Sequence, residues 1–96
     1  MKMLMIVCPE NRQQEVRELI AQHDVHSYSE IPNVLGEGKT GKHLGTHVFP
    51  GKSVLVFTVV ASSKKDELVQ ALKDYHESLL AGEGLRVFAL PVESLF

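Results

Sequence analysis

The stretch "GEGKTGKHLGTHVFPG", residues 36–51, concentrates the groups best suited to hold an anion. Gly36 and Gly41 followed by Lys42 meet the Gly-x-x-x-x-Gly-Lys part of a P-loop, whose backbone amides and lysine cradle nucleotide phosphates. His43 stands where that motif needs a Ser or Thr for Mg²⁺. "LGTHVFPG" follows where a helix should begin, so the N-terminal amides that complete a P-loop are not expected. An orthodox P-loop NTPase is therefore the wrong reading. Two others stay open: phosphate binding without a P-loop, in which Gly36, Gly38, Gly41 and Gly45 admit an anion and Lys39 and Lys42 supply charge, or a solvated hairpin tip.

Other chemistry is less well assembled. His43 and His47, with His23, His26 and Cys8 elsewhere, are the groups from which a transition-metal site could be built, since imidazole is the commonest metal ligand. A spacing of four aligns two histidines only on a helix, and this is a loop. Cys8 ends an apolar run, where a free cysteine usually acts as a small buried hydrophobe. Thr40, Thr46, His43, His47 and Asp66 are the parts of a nucleophile and base, but nothing places them together. No catalytic residues are assigned, and the expectation is a protein that is not an enzyme.

The elements that must position the loop follow from periodicity. "MLMIVC", Met3 to Cys8, reads as a strand buried on both faces. Asn11 with Gln14 three residues on is a candidate helix cap, and Val16, Leu19, Ile20 and His23 continue at helical spacing. Val25 to Ile31, stopped by Pro32, reads as a second strand, and "SVLVFTVV", Ser53 to Val60, as a central third. Ser63 with Asp66 suggests a capping box for a helix through Leu68, Leu72, Tyr75 and Leu79 that stops at Gly82. In "KDYHES" Tyr75 is expected to point inward from an otherwise polar side. "LRVFALPVE" is the last strand, ending at Pro91. The order βαββαβ predicts an α+β, ferredoxin-like sandwich with a long loop between strands 2 and 3, in one domain over residues 1–96.

Composition limits the partners. The net charge is −2 with both signs interspersed, which gives no field to draw the chain to nucleic acid or to anionic lipid. The single cysteine excludes an internal disulfide, and no apolar run suits a signal peptide or direct insertion into a membrane. A cytoplasmic protein is expected. The segment from Asn33 to Lys52 has no helix or strand period, and loops of more than about 15 residues in a small domain are usually functional or disordered.

"IVCPENRQQEVRELI" resembles the opening strand, proline and helix of PII nitrogen-regulatory signalling proteins. The element order, the long loop and "AGEGLRVFALPVES" resemble them as well, and the loop is closer to PII-like relatives than to the nitrogen regulators themselves. The resemblance implies a non-catalytic homotrimer that binds an adenine nucleotide (ADP, ATP or AMP) or another small anion between subunits as an effector, with no required cofactor. The long T-loop would touch an unidentified target protein, a membrane transporter or an enzyme among the candidates. Carried across by position, Gly36, Gly38 and Lys39 match the start of the T-loop, with Gly41 and Lys42 beyond them. Gly82, Glu83 and Gly84 resemble a Gly-Asp-Gly phosphate loop, and Arg86 matches the lysine that follows it.

Three departures turn the expectation away from ATP preference, 2-oxoglutarate sensing and uridylylation: no C-terminal arginines follow Phe96, the T-loop is short, and it carries no tyrosine. The alternative function is a trimeric metal-binding or metal-tolerance protein of similar fold, with His43 and His47 as ligands.

Overall fold

The computed structural model describes residues 1–35, 52–79 and 83–96. Strand β1 (Lys2–Pro9) leads through a 3-10 turn (Glu10–Arg12) into helix α1 (Gln13–Gln22). Strands β2 (Ser29–Val34) and β3 (Ser53–Val60), helix α2 (Ser62–Glu77) and strand β4 (Arg86–Pro91) follow. The sheet runs β2-β3-β1-β4 with every neighbouring pair antiparallel. Both helices pack on one side of it, which is the ferredoxin-like α+β arrangement.

Strand alternation sets the core. Leu4, Ile6 and Cys8 of β1 and Val54 and Val56 of β3 point to the helices and meet Val16, Ile20, Leu68 and Leu72. Thr58 is the polar exception on this face, and its hydroxyl donates to the Ser27 carbonyl at 2.6 Å, which ties the α1–β2 connection to β3. The intervening residues Met3, Met5 and Val7 are half-buried, so β1 is sealed on one face within the chain and not on both.

Three local expectations are corrected. Neither helix has a side-chain cap: α1 is preceded by the 3-10 turn, so Asn11 lies inside that turn and its amide points to Glu83, while α2 starts at Ser62 with Ala61 at the cap position, so Ser63 lies within the first turn. The second strand lies later than Val25–Ile31, because Val25 belongs to the core beneath the turn that ends α1. Pro32 does not stop β2, since an edge strand need not donate from every amide, and the register shifts between Ile31 and Val34 around Asn33 at φ 57°. Finally, α2 ends at Glu77, with Leu79 still packed against the core; the expected stop at Gly82 lies outside the described residues.

Candidate functional site

The register places four chain crossings at one end of the sheet. Pro9 pairs with Ser53, Val34 with Ser53, and Val7 with Arg86. The described residues that lead into and out of the 36–51 loop therefore lie at the same end as the 3-10 turn and the segment entering β4. The Glu10 amide donates to the Lys52 carbonyl at 3.0 Å, joining the 3-10 turn to the returning end of the loop.

The segment entering β4 is held from two sides. On one, Arg12 Nη2 donates to Glu83 Oε1 at 2.8 Å, with the Asn11 amide at 3.4 Å from Oε2. Arg12 Nη1 reaches Glu15 at 3.1 Å, and the Tyr75 hydroxyl donates to the same carboxylate at 2.5 Å. A chain of charge-assisted bonds thus runs from α2 through α1 to Glu83. Its members shift one another: the hydrogen bond to Glu83 is the main influence raising the Arg12 pKa, and the Tyr75 bond the main one holding Glu15 below the usual carboxylate range. Burial, then Glu15, pushes the Tyr75 phenol up. Arg12 Nε is buried with no partner among the described residues.

On the other side the Leu85 amide donates to His76 Nδ1 at 2.9 Å. Gly84 lies against the edge of the same ring: a Cβ there would meet His76 Cε1 at 2.8 Å, closer than carbon atoms tolerate. Leu85 itself enters the core at 5% exposure.

Of the residues expected to bind an anion, Glu83, Gly84 and Arg86 are described and lie close in sequence at this end of the sheet. Their side chains do different things. The Glu83 carboxylate is bonded to Arg12, so it fixes the segment and its negative charge does not itself favour a phosphate. Arg86 opens β4, is exposed, and pairs in register with Val7 on the sheet face away from the helices. Gly36, Gly38, Lys39, Gly41, Lys42, Gly82 and the alternative metal ligands His43 and His47 lie outside the described residues.

Sequence reasoning missed Arg12 and His76. An arginine at the start of a helix and a histidine in the last turn of another read as solvated charge, because each acts on a residue more than a helical turn away along the chain. The signal was present only in the small residue, Gly84, whose close approach needs a neighbour.

Elsewhere, no three His, Cys, Asp or Glu side chains converge as metal ligands among the described residues. His23 Nδ1 lies 2.6 Å from Glu67 Oε2, clasping α1 to α2, and Lys64 donates to the His23 carbonyl at 3.0 Å. Burial, with Glu30 adding to it, pushes the Cys8 thiol up to about 11, so it stays protonated at neutral pH and is a poor ligand or nucleophile. No helix among the described residues is long and apolar enough to cross a membrane.

A four-stranded antiparallel sheet with two helices on one face, and loop ends gathered beside the segment entering β4, defines a ferredoxin-like module. The family model for nitrogen regulatory protein P-II matches residues 1–96, and the chain belongs to that family. Among solved structures, CPII from Thiomonas intermedia K12 bound to ADP and bicarbonate superposes with a TM-score of 0.73 at 19% identity, over 93% of this chain and 82% of that one. The same protein bound to ADP, AMP and acetate gives 0.71 at 16% identity, over 92% and 81%. A protein described as PII-like and signalling, from Thermus thermophilus, gives 0.68 at 18%, over 93% and 83%. At these identities the likeness is one of fold. Among curated protein sequences none matches the chain.

Proposed function

We propose that this P-II family member is a non-catalytic regulator that binds an adenine nucleotide at clefts between subunits and acts on a partner protein through the 36–51 loop. The observation that carries the reading is the convergence, at one end of the sheet, of the loop's two ends with the Glu83–Arg86 segment, which is pinned by Arg12 and His76. A nucleotide phosphate needs amide donors and cations fixed in advance, and a short segment tied at both ends supplies fixed amides. Gly36, Gly38, Lys39, Gly41 and Lys42 would close on the phosphates from the loop side, with Gly82, Gly84 and Arg86 on the other. Glu83 would hold the second group in place. That CPII is seen with ADP supports the choice of an adenine nucleotide as the effector.

The sheet face away from the helices supports a trimer. Ile31, Val59, Phe88 and Leu90 are exposed there beside half-buried Met3, Met5, Leu55 and Phe57, a contiguous apolar surface of the kind that marks association. Arg86 opens onto this face, so an intersubunit cleft would bring it to a neighbour's loop. A ligand that contacts one loop conformation better than others shifts the population the partner meets. Such a protein works in the cytoplasm.

Calorimetric titration with ADP, ATP and AMP, then with Zn²⁺ and Cu²⁺, tests the reading. Nucleotide binding with one site per chain is expected; metal binding in the absence of any nucleotide binding would transfer the assignment to a metal-binding protein using His43 and His47.

A further inference from the structure

His76 does something that a solvated helix-end histidine does not. It sits in the last turn of α2 and accepts the Leu85 amide at Nδ1 at 2.9 Å, while the Cε1 edge of its ring occupies the space a Gly84 side chain would need. A neutral imidazole has one acceptor nitrogen, and here that nitrogen must be Nδ1, leaving the proton on Nε2. A protonated imidazole has none.

We propose that His76 is a positioning residue for the Glu83–Arg86 segment. Only its neutral form holds the segment in the arrangement that receives an anion, so affinity there falls as His76 gains a proton. This rests on the nucleotide-binding reading above and adds to it a pH dependence and the atom responsible.

Protonation replaces an attractive N–H to N contact by two N–H groups pointed at each other. The Leu85 amide, largely withdrawn from water beside a core side chain, then has no acceptor, and a buried unsatisfied donor is costly. Because Gly84 lies against the same ring, the ring cannot turn away without moving that backbone, and Glu83 follows with its bond to Arg12. The charged residues of the elements that meet there are Lys73 and Glu77 on its own helix, Glu83 and Arg86 on the segment it holds, and Arg12 and Glu15 paired beyond Glu83. Lys73 lines the same small groove as His76. Histidine is the side chain whose ordinary charge change falls between about pH 5 and 8.

The test uses His76→Asn, whose Oδ1 lies where Nδ1 does and cannot gain a proton, with His76→Ala and Gly84→Ala beside it. In ligand-free protein, amide exchange at Leu85, expressed relative to the intrinsic rate, should lose about tenfold of its protection between pH 7.5 and 5.5 in the wild type. It should stay level in His76→Asn and be low at both pH values in His76→Ala and Gly84→Ala. ADP affinity measured in parallel should fall about tenfold more over the same interval in the wild type than in His76→Asn, because protonation of the nucleotide's own phosphate affects both alike. Equal Leu85 protection in the wild type and His76→Asn at both pH values would overturn the lock. A lock that titrates while ADP affinity changes equally in the wild type and His76→Asn would overturn its coupling to the site. Absence of ADP binding in every variant would remove the nucleotide reading and the coupling with it, and the exchange data would still decide whether His76 holds the segment.

Discussion

On the helix side of the sheet Leu4, Ile6 and Val56 are 0% exposed, whereas on its other face Val59 is 44%, Leu90 42% and Phe88 55% exposed. Both faces are built from the same residue types. One is closed by α1 and α2 within the chain; the other is left for something outside it. An uninterrupted apolar strand such as "MLMIVC" or "SVLVFTVV" therefore does not mean that two layers of the same chain cover it. It means that both faces avoid water, and the second cover can be another copy. The comparison predicts that mutations on the two faces fail differently, through folding on one side and through assembly on the other.

The largest effect is expected on the closed face. Leu68→Ala removes a fully buried side chain between α2 and the sheet and should cost about 2–5 kcal/mol of stability, read as a lowered urea midpoint with the cooperativity retained. The matched change on the open face, Phe88→Glu, should leave the circular dichroism of the fold in place. It should also take the mass seen by light scattering from three chains to one, since a buried charge at the middle of an interface typically costs about 2 kcal/mol or more. A monomeric wild type at micromolar concentration would remove the intersubunit cleft altogether.

What the sequence made legible follows the same division. Short apolar runs bounded by Pro or Gly were enough for β1 and β3, and apolar residues at helical spacing for both helices. The boundaries of β2 were not, because an edge strand with only two half-buried residues, Glu30 and Val34, carries little pattern and tolerates Pro32. Both proposed caps were misplaced, since a Ser or Asn beside a helix start signals a turn as readily as a cap. At the site, Gly84 and Arg86 were picked out by resemblance, whereas Arg12 and His76 act across 71 and 9 residues of chain, a pairing that only the fold creates.

Between the two faces stands Arg86, which enters the open side while Val87 beside it packs against the core. Arg86→Ala, and Lys39→Ala in the loop, should leave stability unchanged and weaken nucleotide binding by about 1.5–3 kcal/mol, roughly ten- to a hundredfold, as the loss of a charged hydrogen bond. Calorimetry checks it. Unaltered affinity in both would leave the phosphates to be held by backbone amides alone, and would detach the open face from the binding site.

The smallest effect belongs to the polar clasps at the rim of the closed face, and it appears in acid. Glu30 is held below the usual carboxylate range chiefly by its hydrogen bond from Arg17 at 2.7 Å, with Gln13 adding to it, and this pair ties edge strand β2 to α1. Glu67 is lowered chiefly by His23, then by Lys64, and joins α1 to α2. A carboxylate whose pKa is lower in the folded than in the unfolded chain contributes stability that is complete above the unfolded value of about 4.3. It is lost as pH falls through the folded value. Unfolding midpoints should therefore stay level with respect to these groups above about pH 5 and drop below about pH 4. Glu30→Gln and Glu67→Gln should each flatten the drop while lowering the neutral-pH midpoint slightly, because exposed ion pairs contribute little. Phe88→Glu should leave the Glu30 and Glu67 contributions intact, since both clasps sit on the helix side of the sheet; if it abolished the acid transition along with the trimer, the two faces would not be independent.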